Sequence, residues 1–267
     1  MNETTPISRL RLRGRIAKVR DLSDSHRQDL FVLFARYYED VRQPKFLADL
    51  AGKSHIILLH DAANGRLQGF STLQVWYTDV DGVKAKIVFT GDTVVDQAYW
   101  GQRDLQKLFT DFLGRAKLTR PFGPVYWFLM TKGYRTYLTM AKNFFEFYPC
   151  HFVPTPPFEQ SLIRTLAGNA YPDEFNADTG LIAYKVTGGQ VRHGVADITG
   201  DLLNDPHIRF FSEKNPDYAD GTELVCVGKV TWQVLTHSFG KVIRKKLGLR
   251  ALQPTPAPAL MGSPAES

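Results

Sequence analysis

The stretch Lys86–Leu113 constrains the fold of this chain more than any other part. Its first part, Lys86–Val95, is rich in Val, Ile, Phe and Thr, and its apolar residues roughly alternate, which predicts a β-strand. A predicted turn, Asp96–Gln102, contains Gly101. Asp104–Leu113 then has apolar residues at the spacing of one helical face: Leu105, Leu108, Phe109, Phe112 and Leu113. Because the first amides of a helix lack intrahelical partners and the helix dipole favours negative charge there, this arrangement predicts an anion site.

Further strands and helices are predicted before and after this stretch. Two hairpin signals, Asn64-Gly65 and Asp81-Gly82, predict three consecutive antiparallel strands. The elements predicted before Lys86 are a strand at Gly14–Val19, a helix at Gln28–Tyr38 capped by Ser23 or Ser25, a short helix at Lys45–Ala51, and strands at His55–His60 and Leu67–Thr78. Those predicted after Leu113 are strands at Val125–Met130, Leu181–Val186 and Glu223–Val230, and helices at Tyr134–Phe147, Phe158–Ala167 and Thr231–Leu247. Asp197–Asn204 and Arg209–Lys214 are short segments of mixed character, and Asp205-Pro206 predicts a turn.

Composition limits the class of protein. The chain has 267 residues, 43% of them hydrophobic and 12% aromatic, which is enough for a sizeable packed core. It contains no apolar run of the length that a membrane-spanning helix needs, about 18 residues or more. The first residues lack the apolar region of a secretory signal, and the two cysteines form no CxxC, so we expect a cytoplasmic protein. The seven histidines show no ligand spacing, so no metal site is predicted.

The chain is basic, with a formal net charge of +6. This charge is compatible with nucleic acid, an anionic membrane surface, a phosphate-rich cofactor or an acidic carrier protein. No RNA-binding motif is present, so we expect no specific nucleic-acid partner. The segment Phe239–Leu252 alternates apolar and basic residues, which is compatible with peripheral membrane contact, with docking of an acyl carrier protein, or with a C-terminal helix that packs on the domain.

The predicted element order resembles that of the GCN5-related N-acetyltransferase (GNAT) superfamily, the acyl-CoA N-acyltransferase fold, over about residues 14–153. The resemblance implies an α/β (α+β) fold whose mixed, mostly antiparallel central sheet is flanked by helices. It implies a GNAT-like acyltransferase domain at 1–155, with a C-terminal α+β extension at 156–252 that packs on it and a disordered tail at 253–267. The chain also resembles the distant GNAT branch that includes acyl-homoserine-lactone and N-acyl amino acid synthases.

The resemblance places a donor site in the predicted turn. In GNAT proteins this turn carries (Arg/Gln)-x-x-Gly-x-(Gly/Ala), and its backbone amides hold the pyrophosphate of acyl-CoA. Gly101 and the Tyr99 before it match common features of such turns, whereas Trp100 stands where Arg or Gln is usual, and Arg103 and Leu105 occupy the two small-residue positions. Arg103 offers a charged fork for a phosphate instead. The implied donor is acyl-CoA or an acyl-phosphopantetheine on a carrier protein, and the implied cofactor-binding residues are Val94, Val95, Trp100, Gly101, Gln102 and Arg103.

Acyl transfer to an amine requires that the amine lose a proton, that the thioester carbonyl be polarised and that the leaving thiolate be protonated. The resemblance implies that a backbone amide near Val94 or Val95 polarises the carbonyl. Asp92 is the preferred proton acceptor, because a carboxylate within an apolar strand is costly, and Asp96 is the other candidate. A surface role remains open for both carboxylates.

The resemblance also implies a tyrosine acid on the helix after the fifth strand. Phe145 occupies its place, so Tyr148 is the nearest substitute, with core packing as its other interpretation. An adjacent pair, Cys150-His151, is a further candidate for nucleophile and base, although neighbours on an extended segment point apart. The expected function is therefore transfer of an acyl group to a small-molecule amine by direct attack. The alternative is a non-catalytic GNAT-like module with a basic binding surface.

Overall fold

The structure is a computed structural model in which residues 10–39, 41–184 and 198–237 are described. The predicted basic segment 239–252 and the predicted tail 253–267 lie outside these residues. Within them, contacts divide the chain into two compact units. The first unit contains residues 10–76 and 88–115, and the second contains residues 77–87, 116–184 and 198–237. The predicted domain boundaries near 155 and 252 stay predictions.

The first unit is built on an antiparallel sheet. Its strands are β1 (Leu12–Lys18), β2 (His55–Asp61), the first part of β3 (Leu67–Val80) and the last part of β4 (Val83–Val95). β1 pairs antiparallel with β2, and β2 with β3. β3 and β4 are neighbours joined by the predicted Asp81-Gly82 turn, in which both residues have positive φ, 50° and 75°.

Helices α1 (Asp24–Ala35) and α2 (Gln43–Ala51) supply the core of the first unit. Both apolar faces pack with the sheet into one buried cluster, whose large members include Leu30, Leu33, Phe34, Phe46, Leu50, Phe70 and Val94. Ser23 caps α1, because its hydroxyl accepts a hydrogen bond from the His26 amide at 3.2 Å. Helix α3 (Asp104–Leu118) follows β4 and begins at the predicted residue.

The second unit contains shorter strands and the remaining helices. Its sheet is formed around β9 (Glu223–Lys229), which pairs antiparallel with β5 (Val125–Thr131), β6 (Phe147–Tyr148) and β8 (Leu181–Ile182). β8 also pairs with β7 (Phe175–Asn176). The helices are α4 (Tyr134–Ala141), α5 (Pro157–Ala170) and α6 (Pro206–Lys214), and residues 232–237 are also helical.

Two sequence-based predictions were wrong in this unit. The predicted helix Tyr134–Phe147 ends at Ala141, and Phe147 and Tyr148 pair with β9 instead, because the pairing buries both aromatic side chains. The region Arg209–Lys214, predicted as short and mixed, belongs to helix α6. The sequence Asp205-Pro206 is its N-terminus rather than a turn alone, since the Asp205 carboxylate accepts the His207 amide at 2.9 Å.

The element order is the predicted one: a strand, two helices, three antiparallel strands, a helix, a strand and a helix. Every strand pair whose register is described is antiparallel. The chain thus has a mixed α/β fold with a mostly antiparallel sheet, as predicted. No helix within the described residues is long and apolar enough to cross a membrane.

Candidate functional site

The turn between β4 and α3 is fixed to the rest of the first unit at several points. Asp96 begins a short 3-10 helix, Gln97–Tyr99, and its carboxylate accepts the Ala98 amide at 3.1 Å. The Gln97 amide donates to the hydroxyl of Tyr37, just after α1, at 2.8 Å. The turn is therefore an ordered connection whose position depends on α1.

A buried hydrogen bond joins this turn to the end of β2. The Tyr99 hydroxyl donates to the carboxylate of Asp61, and both residues are buried. The other Asp61 oxygen accepts the amides of Ala63 and Asn64 at 2.7 and 3.0 Å. These bonds, that from Tyr99 first, lower the pKa of Asp61, and the same pairing raises the pKa of Tyr99 to about 12. At neutral pH the pair therefore consists of a protonated phenol that donates a hydrogen bond to an ionised carboxylate.

Most backbone amides of the turn are already used within the protein. The amides of Tyr99 and Trp100 donate to Asp96 and Gln97, and that of Gln102 donates to Tyr99 at 3.3 Å. For the amides of Gly101 and Arg103, in contrast, no acceptor is present among the described residues. The first amides of α3 also have no partner within the helix. The amides available to an anion are therefore those of Gly101, of Arg103 and of the first residues of α3. All of them follow Trp100 in the sequence.

The side chains of Trp100 and Gln102 also make internal hydrogen bonds. The Trp100 indole N–H donates to the Val95 carbonyl at 2.8 Å. The Gln102 amide group accepts from the Leu12 amide at 2.9 Å and donates to the Leu10 carbonyl at 3.0 Å. These bonds tie the turn to the end of β4 and to the start of β1. For Gln102 the structure consequently gives a positioning role.

Gly101 and Arg103 are the two turn residues best placed for a ligand. Gly101 is exposed with φ of +85°, a left-handed conformation that favours glycine, and apart from its chain neighbours no described residue comes within 4 Å of the place where a Cβ would be. Arg103 is exposed, and its guanidinium has no ion pair or hydrogen bond among the described residues. A cation and free amides at the start of a helix suit a phosphate group.

A cavity of about 370 Å³ opens beside the start of α3, next to the outer strand β1. Its lining consists of Arg11, Leu12, Arg13, Gly14, Ala62 and Asp104. The Asp104 carboxylate forms an ion pair with Lys107 at 3.3 Å, which offsets part of its negative charge. Two exposed arginines therefore add positive charge near the same helix end.

The end of β4 is packed closely against β3. Val94 is buried in the core cluster. A Cβ at Gly69 of β3 would lie 2.9 Å from the Val94 carbonyl oxygen and 3.3 Å from the Val95 Cα. The Asp96 amide donates to the Gln68 carbonyl at 2.7 Å. The backbone at Val94 and Val95, where carbonyl polarisation was predicted, is therefore rigidly held.

Asp92 lies on β4 and is half-buried. Because side chains alternate along a strand, it shares a face of the sheet with Val94. Polar groups of the same unit lie near this part of the strand: Ser71 bonds to Thr93 at 2.8 Å, and the buried Thr72 hydroxyl, 2.7 Å from the Cβ position of Gly91, has no hydrogen-bond partner within the described part of the chain. The location is compatible with a proton acceptor, and this role stays a prediction.

Tyr148 lies in the second unit, on strand β6 rather than on a helix. It is buried, and burial, followed by the charges of Glu159 and Glu146, raises its pKa to about 12. Its hydroxyl has no hydrogen-bond partner among residues that the structure describes. Such a phenol stays protonated at neutral pH, as a general acid must, whereas the Tyr137 hydroxyl already donates to the Pro149 carbonyl at 2.9 Å. The assignment of Tyr148 remains a prediction.

Cys150 and His151 do not form a nucleophile–base pair. The Cys150 thiol is buried and donates to the Val153 carbonyl at 3.5 Å, and burial raises its pKa. The His151 ring instead contacts the rings of Phe152 and His207. A thiol with a raised pKa is a poor nucleophile. Within residues 10–39, 41–184 and 198–237, no cluster of three or more His, Cys, Asp or Glu is placed to hold a metal ion.

Comparison with known proteins gave no match to a family model or to a curated protein. Solved structures do match. A GNAT family N-acetyltransferase (YhbS) from Escherichia coli, in complex with CoA, is 17% identical over 49% of this chain and 67% of that chain, with a TM-score of 0.33. Escherichia coli ElaA is 18% identical over 55% of this chain and 95% of its own, with a TM-score of 0.35.

A third match covers more of this chain. It is a conserved protein of unknown function from Enterococcus faecalis V583, described as a probable N-acyltransferase, and it is 10% identical over 82% of this chain and 66% of that chain, with a TM-score of 0.39. All three TM-scores lie below 0.5, so none of these structures assigns a role to a residue of this chain.

Proposed function

We propose that the protein transfers an acyl group from a thioester donor, acyl-CoA or an acylated carrier protein, to the amine of a small molecule. The observation that carries this proposal is the connection from β4 through Gly101 to α3. There, the start of a helix meets amides and an Arg103 guanidinium that have no partner among the described residues, all on one exposed turn. Pantetheine-linked donors carry phosphate groups that this turn suits.

The residues are assigned separate roles. Gly101 and Arg103 bind donor phosphate, with the Arg11 and Arg13 cavity adding positive charge beside them. The backbone near Val94 and Val95 polarises the thioester carbonyl, and Asp92 accepts the proton of the attacking amine, directly or through water. Tyr148, which keeps its proton at neutral pH, donates it to the leaving thiolate. Attack is direct, so no covalent enzyme intermediate forms.

Donor binding tests the proposal first. We expect CoA, acetyl-CoA, a long-chain acyl-CoA or an acylated carrier protein to raise the melting temperature, because a ligand that binds only the folded state stabilises it. Arg103→Ala should weaken donor binding roughly tenfold, since a charge-assisted contact is lost. Arg115→Ala on the same helix, whose arginine pairs with Asp111 at 2.7 Å, is the matched control and should bind as the wild type does.

A glycine pair provides the second test. Gly101 and Gly65 are both turn glycines with positive φ, +85° and +72°, and both have open space at the Cβ position. Gly101→Val and Gly65→Val should therefore strain the backbone similarly, but only Gly101→Val should raise the KM for the donor. Equal kinetics of the two variants would contradict a donor role for the turn.

One observation favours the non-catalytic alternative. The side chains of Trp100 and Gln102 are used in internal hydrogen bonds, and the family's usual Arg or Gln is absent. A turn that has lost its donor function would retain these positioning bonds. If none of the donors shifts the melting temperature of well-folded protein, and if no CoA or acylated pantetheine co-purifies by mass spectrometry, the binding module is the better assignment.

A further inference from the structure

An exposed apolar patch lies on the loop between α3 and β5 in the second unit. Phe122 is 100% exposed at the loop tip, Leu118 is 65% exposed at the end of α3, and Trp232 is 44% exposed. The Trp232 indole N–H donates to the Pro121 carbonyl at 3.3 Å, so the tryptophan joins this patch. We name these four residues, Leu118, Pro121, Phe122 and Trp232, the loop patch. Apolar residues gathered on a surface in this way mark an interaction site.

The loop is held in one conformation by basic side chains. Lys117 Nζ donates to the Gly123 carbonyl at 2.9 Å, and Lys86 Nζ donates to the Thr119 hydroxyl at 2.5 Å. Arg120 donates to the Lys84 carbonyl at 2.5 Å. Because the loop is already ordered, little conformational entropy is lost when its apolar tip binds a partner.

The same side chains form a group of cations, Lys84, Lys86, Lys117 and Arg120, beside the loop patch. The charged groups of Lys84, Lys86 and Arg120 lie 5.3, 5.5 and 5.8 Å from the ring centroid of Tyr77. In the described part of the chain, no carboxylate forms an ion pair with any of the four. The carboxylates on the same hairpin, Asp79 and Asp81, are exposed near its tip.

Two of these cations are buried, and neither has a counter-ion within the part of the chain that the structure describes. Lys86 and Lys117 are each 8% exposed, and the Arg120 Nε atom is buried without a hydrogen-bond partner among the described residues. Burial, together with the positive charges of Lys229 and Arg120, lowers the pKa of Lys117. Buried cations without an anion are costly, and an external anion would offset that cost.

We propose that the loop patch and this group of cations dock the protein on a membrane that carries anionic phospholipids. Aromatic and aliphatic side chains enter the headgroup region of a bilayer, while Lys and Arg beside them meet lipid phosphates. Single-stranded nucleic acid is the competing anion. It stacks its bases on aromatic faces, and the exposed rings of Phe122 and Trp232 offer two. The Tyr77 ring is covered by cations, however, and Leu118 and Pro121 are aliphatic, so the patch as a whole suits a bilayer better than a row of stacked bases. This docking does not depend on the acyl transfer proposed above.

The test is co-sedimentation of the full chain with vesicles. We expect binding to vesicles of phosphatidylcholine mixed with phosphatidylserine, and little binding to phosphatidylcholine alone. Phe122→Ala should lower the partition coefficient roughly fivefold or more, since the apolar contact of one aromatic ring is lost. Its matched control is Leu203→Ala, another exposed apolar side chain of the second unit. Phe122→Ala should melt as the wild type does, because the Phe122 side chain is fully exposed, and the melting temperature of each variant is measured beside its vesicle binding.

Two charge-reversal variants separate the effect of local charge on vesicle binding from the effect of net charge. Lys84→Glu and Lys214→Glu change the net charge equally, and both lysines are exposed, but Lys214 lies at the end of α6. Only Lys84→Glu should weaken binding to the anionic vesicles. Absent wild-type binding, equal binding to neutral vesicles, or equal loss in both lysine variants would overturn the proposal. The proposal would also be overturned if the protein bound a labelled single-stranded oligonucleotide but not vesicles, and if Phe122→Ala weakened that binding.

Discussion

At the scale of single residues, Gly69 controls the position of the candidate carbonyl-polarising backbone. Its hydrogen atom faces the Val94 carbonyl, where a Cβ would lie only 2.9 Å away. Since backbone atoms cannot move aside cheaply, any larger residue must push β4 away from β3. The close approach thus links a residue without functional groups to the geometry of the proposed site.

We therefore expect Gly69→Ala to lower the free energy of unfolding by about 1–3 kcal/mol, the usual range for overpacking, and to lower kcat/KM for acyl transfer. Urea unfolding and steady-state kinetics measure the two effects. Gly168→Ala is the control. Gly168 lies within α5 with open space around it, and alanine there should raise stability by up to about 1 kcal/mol. If Gly69→Ala is as stable and active as the wild type, the close approach is unimportant.

The Asp61–Tyr99 pair gives a prediction for acid pH. The pKa of Asp61 is lowered in the folded protein, so its contribution to stability is present above its unfolded pKa, about 3.9, and is lost as pH falls through the lower folded value. Tyr99→Phe removes the largest cause of that shift, so stability should fall less steeply between about pH 4 and 2. Urea titrations across this range measure the slope.

The control for this prediction is Tyr134→Phe, which removes a buried tyrosine hydroxyl of the second unit that has no carboxylate partner among the described residues. Its acid profile should match that of the wild type. An unchanged slope for Tyr99→Phe would mean that the Ala63 and Asn64 amides alone set the pKa of Asp61.

At the scale of elements, α1 supports the candidate turn, because Tyr37 at its end holds the Gln97 amide. The capping hydroxyl of Ser23 fixes the other end of the helix. We expect Ser23→Ala to destabilise the protein by about 1 kcal/mol, whereas Ser25→Ala, at an exposed position in the first turn of α1, should have little effect. Chemical denaturation of both variants measures the difference. Equal destabilisation of the two would mean that the cap contributes nothing.

The sequence predicts elements well where local chemistry decides them. The Asp81-Gly82 turn, the capping of α1 and the start of α3 at Asp104 depend on turn geometry, capping and apolar periodicity, all of which are local. The end of α4 was missed, because Phe147 and Tyr148 gain their place by pairing with β9, about 80 residues later in the chain. The helical periodicity of a local segment carries no information about a pairing strand so far away in the sequence.

The candidate site was predictable only in part, for the same reason. The location of Gly101 and Arg103 follows from the strand–turn–helix pattern. Sequence reasoning missed the Asp61–Tyr99 bond and the Arg11–Arg13 cavity, because both join segments far apart in the chain. It also assigned ligand roles to Trp100 and Gln102, which stay predictions, and it gave no sign of the internal hydrogen bonds that both side chains make. No local signal distinguishes a glutamine that binds a ligand from one that ties down a strand.

At the scale of the whole molecule, buried tyrosine hydroxyls limit stability at high pH. The bond to Asp61, together with burial, raises the pKa of Tyr99 to about 12, and burial, followed by the charges of Glu159 and Glu146, raises the pKa of Tyr148 to about 12. Three more are raised further by burial: Tyr126, Tyr137 and Tyr184. A group whose folded pKa is raised contributes stability that is fully present below its unfolded pKa, about 10 for tyrosine, and that is lost as pH rises through the folded value.

The free energy of unfolding should therefore be insensitive to tyrosine ionisation up to about pH 9 and should fall steeply between about pH 10 and 12, because the unfolded chain releases protons there that the folded chain keeps. Urea unfolding at a series of pH values, with tyrosinate absorbance recorded in parallel, measures both quantities. Because several tyrosines contribute, Tyr99→Phe should remove only part of the alkaline slope, whereas it should change the acid slope through Asp61. Tyrosinate that forms at pH 10 in the folded protein, with no loss of stability, would show that these hydroxyls are open to solvent and would contradict the buried network.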